Sequence, residues 1–314
     1  MHSSVNTCFS KSPLNQTNIV EIYTALLNYI LAKQNHGKFT IHIQDCELDE
    51  NVSHEIFRII KDLEWFGIIS DGRPLLQSNK LDIYKEKFDA LIAGNKAYRC
   101  FCNQNNSEQK TNYESKDIYN RTCLNLSSDV IKAKLAANQK FVWRLKVETP
   151  VLPQKLNPTS KKLIFTHLTF SDFALTNQNG ALDAVFMNFV DNWMSRITHK
   201  LINSCDLIQI EQQAHLYDAF LLTKPQFYIL PEIVNSNEKP LSANDFGFFI
   251  QDLRKYGHKP QSIINILTQQ ALKSNPDILI NEQPISKAIS ELIKVFRFKQ
   301  LTPGSKIIFD IQKI

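Results

Sequence analysis

The chain has 314 residues, 43% hydrophobic and 21% charged, as expected of a globular protein able to bury a sizeable core. It has no apolar run of the ~18 residues needed to span a bilayer, and Met1 to Lys11 lacks the basic-then-apolar layout of a secretory leader, so the expected home is cytoplasmic. A formal charge of +5 and a pI of about 8.7 permit contact with a polyanion without demanding it.

In chain order, Val5 to Phe9 reads as a short strand, and Ile19, Ile22, Tyr23, Leu26, Leu27 and Ile30 recur at helical spacing between Gln16 and Lys33. His36-Gly37 closes that helix, and Lys38 to Ile43 alternates like a strand, so a right-handed parallel crossover is expected. Val52, Ile56, Ile59, Ile60 and Leu63 share a second helical face, with Gly67 at a left-handed cap. Leu81, Tyr84, Phe88, Leu91 and Ile92 form a third, closed by Gly94. Asn103 to Ser128 is polar and bracketed by Cys100, Cys102 and Cys123, like an insertion held by something other than apolar packing. Phe141 to Val147 and Lys162 to Phe165 are predicted strands, joined through Pro150, Pro153 and Pro158. From Gln209 onward the pattern is mainly helical, with Phe246, Phe249, Leu253 and Tyr256 on one stripe.

Two features of composition bear on chemistry. Three of the six cysteines fall within 24 residues, and in a cytosolic chain such a cluster points to metal ligands before disulfides. There are eight glycines, none before Gly37, where average usage of ~7% would give about 22. The first unit therefore has no glycine-rich loop to cradle phosphates. The short basic clusters Lys132/Lys134 and Lys161/Lys162 read as solvated surface.

Several local strings resemble one family. Gly37 to Asp45, the stretch from Leu75 to Cys102, Ser171 to Gly180 and the loop Pro240 to Asp245 are similar to successive signatures of class I glutamyl-tRNA synthetases, from about Thr7 to Phe296. The length is similar to that of the short glutamyl-queuosine tRNA(Asp) synthetase branch. The resemblance implies an α/β fold: a Rossmann-like class I catalytic domain with a zinc-bearing insertion and a mainly helical C-terminal part. Residues 1–98 and 166–235 would form its two catalytic halves, 99–165 the insertion and connective region, and 236–314 the second signature loop and helical part. It also implies structural zinc on Cys100, Cys102, Tyr119 and Cys123, which reproduce the branch's Cys-x-Cys and Tyr-x-x-x-Cys spacings.

The catalytic signatures depart from the family. Activating an amino acid with ATP needs fixed donors and cations around a phosphate that gains charge. In the HIGH-type motif Ser12 and Pro13 match, but Asn15 and Val20 replace glycines and Asn18 replaces a histidine. Val20 would project where adenine lies, and Glu21 adds negative charge beside a triphosphate site. In the KMSKS-type loop Pro240 and Ala243 replace both lysines around Leu241 and Ser242, Asp245 follows, and Lys239 sits one position off. In the amino-acid pocket, with positions Cys8, Ser10, Ser12, Gln44 and Ala184, Cys8 replaces an arginine, Gln44 a glutamate and Ala184 a tyrosine, while Asp45 stays; a further arginine falls at Ile202-Asn203. Losing one bidentate arginine contact costs ~1.5–3 kcal/mol. The expectation is a monomeric, degenerate synthetase that no longer adenylates glutamate with ATP. Its remaining partners would be tRNA or a protein, with no membrane contact. The alternative is an active ATP-dependent ligase with a rebuilt amino-acid pocket. Asp191 reads as a hydrogen-bonded structural acid, and His42 and His167 as surface or satisfied polar residues.

Overall fold

The computed structural model describes residues 4–46, 52–102, 119–147, 172–269, 283–301 and 304–310. Its first unit follows from strand alternation. In β2 (Phe39–Ile43), Phe39 and Ile41 turn to one face and Thr40 and His42 to the other. β2 pairs in parallel with β1 (Thr7–Lys11), from Thr7 opposite Phe39 to Lys11 opposite Ile43. The connection is α1 (Ile19–Gln34), whose apolar series from Ile19 to Ile30 is fully buried. His36 adopts a left-handed φ of 51° at the end of α1. Gly37 is required for a different reason: a Cβ there would lie 1.8 Å from the carbonyl oxygen of Val5.

α2 (Ser53–Trp65) ends before Gly67, which takes the expected positive φ. β3 (Leu75–Leu76) extends the parallel sheet, and α3 (Leu81–Ala93) follows. Gly94 is not left-handed; Asn95 takes that conformation. β4 (Ala97–Cys100) and β5 (Val142–Leu145) pair antiparallel, with α4 (Ser128–Ala136) between them. α5 (Ala184–Met194) leads to β6 (His199–Ile202), which lies beside β1, the amides of Thr198 and His199 both donating to the Asn6 carbonyl. α6 (Leu207–Ala219) then leads to β7 (Gln226–Ile229), parallel to β6. The resulting neighbour order, β3-β2-β1-β6-β7, is the doubly wound arrangement expected of a Rossmann-like domain, with its switch point between β1 and β6.

The last part is mainly helical among the described residues, as expected, with one short parallel strand pair added. β8 (Glu232–Val234) pairs with β9 (Lys306–Ile308), around α7 (Ile250–Lys255), α8 (Pro260–Thr268) and α9 (Ile285–Val295). Phe246 lies outside α7 and is exposed, meeting Tyr256 edge-on, whereas Leu253 is buried, so these residues do not form one helical stripe. The predicted strand Lys162 to Phe165, the linker prolines and His167 lie outside the described residues.

One core joins α1, α2, α8 and α9 to the apolar face of β1 and β2; a second joins α3, β5, α5 and α6. The sheet's other face is polar and meets α5.

Candidate functional site

In an open α/β sheet the ligand crevice lies beyond the strand ends at the switch point, which here is the segment from Lys11 to the start of α1. Asn18 caps α1: its side chain accepts from the Glu21 amide at 3.0 Å, and the Glu21 carboxylate accepts from the Asn18 amide at 3.0 Å. This reciprocal capping box engages helix-end donors that would otherwise attract an anion. Glu21 also pairs with Lys11 at 2.7 Å, and Lys11, 3% exposed, reaches the Gln16 carbonyl as well. The expectation for Glu21 is corrected here: its charge is not a bare repulsion but is compensated by a buried lysine. Val20 is half-buried and packs against the main core, Asn15 is exposed, and Ser12 accepts from the Leu14 amide in the turn. Replacing Glu21 with alanine would strand the Lys11 ammonium and the Asn18 amide, so we expect about 2 kcal/mol lower stability by urea denaturation. Gln at this position should recover part of it by restoring the cap.

The amino-acid pocket positions fall in the polar layer between sheet and α5. Cys8, 1% exposed, donates to Asn192 Oδ1 at 3.2 Å, and the Asn192 amide donates to Gln213 at 2.9 Å. Burial pushes the Cys8 thiol up, against the lowering influence of Lys200. Gln44 Nε2 and Gln77 Nε2 both donate to Asn188 Oδ1, at 2.8 and 3.1 Å. Gln77 Nε2 also donates to Asp191 at 2.7 Å, and the Tyr84 hydroxyl donates to the other Asp191 oxygen at 2.5 Å. Asp191 is thus a fully buried hydrogen-bonded acid. Asp45 accepts from the amide and hydroxyl of Ser78 at 2.8 and 2.6 Å. Ser10 is half-buried on β1, whereas Ala184 is exposed at the start of α5 and joins none of these bonds. Asn203 bonds to Thr24 on α1.

The sequence reading missed Asn188, Asn192, Gln77, Tyr84 and Gln213. A signal for two of them was present: Asn188, Asp191, Asn192 and Ser195 recur at helical spacing within an otherwise apolar helix, a polar stripe facing a polar sheet surface.

His42 is not at the surface; of the two expectations, that of a satisfied polar residue holds at Nε2 but not at the buried Nδ1, which has no hydrogen-bond partner among the described residues. The ring is fully buried, its Nε2 lying 3.0 Å from Ser195 Oγ and 3.2 Å from Thr40 Oγ1. Burial, with the nearby Lys200 charge, lowers its pKa from the ordinary 6.5 to about 3. The native imidazole therefore stays neutral where the unfolded one takes up a proton. Its contribution is intact above pH 6.5 and is lost as pH falls toward 3, at about 1.4 kcal/mol per unit. Between pH 7 and pH 5, urea stability should fall by roughly 2 kcal/mol more in the wild type than in His42→Gln. Equal pH slopes for the two chains would refute this.

The KMSKS-type loop is arranged around its own acid. Asp245 accepts from the amide and hydroxyl of Ser242 at 2.8 and 2.9 Å and from Asn235 at 2.9 Å, bonds that hold its carboxyl below the usual range. Pro240 bridges to Val234; Ala243 and Lys239 are exposed. Beyond it, Ile19 donates to Phe248 O and Ile250 to Thr17 O, stitching this segment to the α1 start.

The cysteine cluster converges. The sulfurs of Cys100, Cys102 and Cys123 all lie within 4.8 Å of one another, with Cys102 and Cys123 at 3.5 Å. The Tyr119 hydroxyl is 3.2 Å from the Cys100 sulfur. Zinc–sulfur bonds of ~2.3 Å in a tetrahedron place sulfurs ~3.8 Å apart, so the three sulfurs are spaced to hold a metal ion of that kind. Arg144 stacks on the Tyr119 ring at 4.0 Å, and Asp172 accepts from Arg121, Tyr98 and the Val147 amide, pinning the knuckle to the β4–β5 pair.

This sheet order, with a helix N-terminus at its switch point, is that of a Rossmann-like α/β domain. The chain matches the family described as tRNA synthetases class I (E and Q), catalytic domain, over residues 4–302, and it belongs to that family. It is 32% identical over 330 residues to the glutamate–tRNA ligase of Mycoplasma mycoides, covering 98% of this chain and 65% of that protein. To the glutamate–tRNA ligase of Lysinibacillus sphaericus it is 28% identical over 329 residues, covering 100% and 66%. The chain thus spans slightly under two thirds of the length of these relatives. The solved glutamate-tRNA synthetase of Elizabethkingia anophelis shares its fold, with a TM-score of 0.79, 22% identity, and coverage of 99% of this chain and 69% of that one. The resemblance to glutamyl-tRNA synthetases is upheld. No described helix is long and apolar enough to cross a membrane.

Proposed function

We propose that this chain is a glutamyl-tRNA synthetase-type catalytic body that has lost ATP-dependent glutamate activation and serves as a tRNA-binding scaffold. The closed α1 N-terminus carries this reading. Asn18 and Glu21 occupy each other's donors and acceptors, and the buried Lys11 cation is committed to Glu21, so a triphosphate would have to displace satisfied groups. The amide layer supports it: Gln44 bonds to Asn188 and Asn192 to Gln213, with no arginine among the described residues bonded to them to clamp a carboxylate. Cys100, Cys102, Tyr119 and Cys123 would hold a structural zinc, and their spacing supports the glutamyl-queuosine-type branch. The segments 1–98, 99–165, 166–235 and 236–314 remain our division of the chain.

ATP–pyrophosphate exchange with glutamate, with and without tRNA, tests the loss. No exchange above background is expected, and measurable exchange would overturn the reading. Retention of tRNA on a gel at moderate salt tests the scaffold. A rebuilt ligase would instead show a thermal shift with ATP plus one particular amino acid.

A further inference from the structure

The outer face of the β4–β5 pair carries a concavity that the layer under α5 does not use. Alternation turns Val142 and Arg144 inward and leaves Phe141 and Trp143 half-buried on the outside. Arg99, opposite Trp143 in the ladder, lays its guanidinium 4.6 Å from the Trp143 ring centre and 5.5 Å from that of Phe141. Phe88 on α3 meets Trp143 edge-on at 6.0 Å. These rings form a floor whose geometry is fixed by mutual contact.

Two loop tips rise around it. One runs from Asn138 to Lys140 after α4, where Lys134 donates to Gln139 at 3.1 Å. The other is the turn Gln178 to Gly180. Asn177 shapes it by accepting from the amides of Asn179 and Ala181 at 2.9 and 3.0 Å, and Gly180 sits at φ 85°. They border a half-open cavity of about 410 Å³, a size suited to a small ligand.

Its lining chemistry is selective. The floor is aromatic, and the walls carry the side-chain amides of Asn138, Gln178 and Asn179, each both donor and acceptor, while the Gln139 amide is held between Lys134 and the Phe101 carbonyl. Lys140 stands exposed at the rim, and no described lining residue is acidic. A flat π surface with amide edges, a nearby cation and no carboxylate matches a planar heterocycle that carries a phosphate.

We propose that this cavity binds one unstacked nucleobase, its ring against Trp143 and its phosphate at Lys140. An unpaired nucleotide of an RNA strand and a free nucleoside monophosphate present the same chemistry. The cavity goes beyond the scaffold reading and is tested apart from it.

The test titrates the full-length chain with a labelled single-stranded RNA hexamer, a blunt RNA duplex, and adenosine and uridine monophosphates. Fluorescence anisotropy and tryptophan quenching give the readouts. Trp143→Ala removes the stacking surface. Asn179→Trp fills the cavity from an exposed turn and leaves the core untouched, which guards against a folding defect in the first variant. The hexamer should bind and quench the wild type, and both variants should weaken it about tenfold or more, as loss of one base–aromatic stack does. Full competition by a monophosphate assigns the cavity to free nucleotides, and its failure assigns it to a strand; either supports the proposal. Equal binding by wild type and Asn179→Trp, duplex bound as well as single strand, or no binding of any probe would overturn it. If Asn179→Trp loses the hexamer but retains tRNA, the cavity stands and the scaffold grips tRNA elsewhere. If only monophosphates bind, the cavity stands and the scaffold reading falls.

Discussion

Serine in place of Cys123 is expected to reduce the zinc content of the purified chain from stoichiometric to negligible and to open the region around β4 and β5 to protease. Cys123 lies 3.5 Å from the Cys102 sulfur, and its own sulfur accepts from the Phe101 amide at 3.4 Å. The apolar cluster around it is small: Cys100, Phe101 and Val142 are its other fully buried members. So few side chains cannot by themselves offset the ordering of a long polar excursion. Structural zinc contributes ~10 kcal/mol or more in isolated small domains. The β4–β5 ladder and the Asp172 contacts hold part of this region without metal, so we expect about 4 kcal/mol less protection against local opening. Elemental analysis gives the metal content, and timed proteolysis with mapping of the cuts gives the opening. A wild-type chain purified from zinc-containing medium without zinc, or a serine variant cut no faster, would remove the metal from the account.

The second large effect concerns Asp191. Alanine there strands the Tyr84 hydroxyl and one hydrogen bond of Gln77, both donors in a region sealed from solvent. Each buried unpaired donor costs ~1–3 kcal/mol, and relief of the buried carboxylate offsets part of that, so a loss of about 3 kcal/mol is expected. Burial raises the Asp191 carboxyl, while the bonds from Tyr84 and Gln77 favour its ionised form. The informative comparison is a double-mutant cycle with Tyr84→Phe. If the hydrogen bond is the mechanism, the double variant loses less than the sum of the two single ones, because the stranded hydroxyl is gone. A urea midpoint for Asp191→Ala within 0.5 kcal/mol of wild type would refute it.

What could be read from the chain divides by distance. The α1 stripe, the alternation of β2 and the cysteine spacings are local patterns, and local patterns report the element they sit in. β7 lay hidden in a stretch read as mainly helical, and β6 before it was not read at all, because runs of four residues such as His199 to Ile202 and Gln226 to Ile229 are too short for periodicity to separate strand from helix. Glu21 looked repulsive because its compensating partner, Lys11, lies on the strand before it and reaches it only once β1 and α1 are packed. The amide layer was invisible for the same reason. Gln44, Gln77, Asn188 and Gln213 come from four separate elements, and no pair of them is close enough in sequence to suggest a bond. What departs from the family can be read position by position; what has replaced it is visible only in three dimensions.

The backbone stitch between Thr17–Ile19 and Phe248–Ile250 joins two segments some 230 residues apart in the chain. Its consequence is mechanical. A loop free to swing toward a bound substrate needs at least one slack attachment, and this one is riveted by peptide groups just beyond its tip. Movement there would uncap the first helix at the same moment, so the loop and the helix end share a single fate: they stay shut together or they let go together.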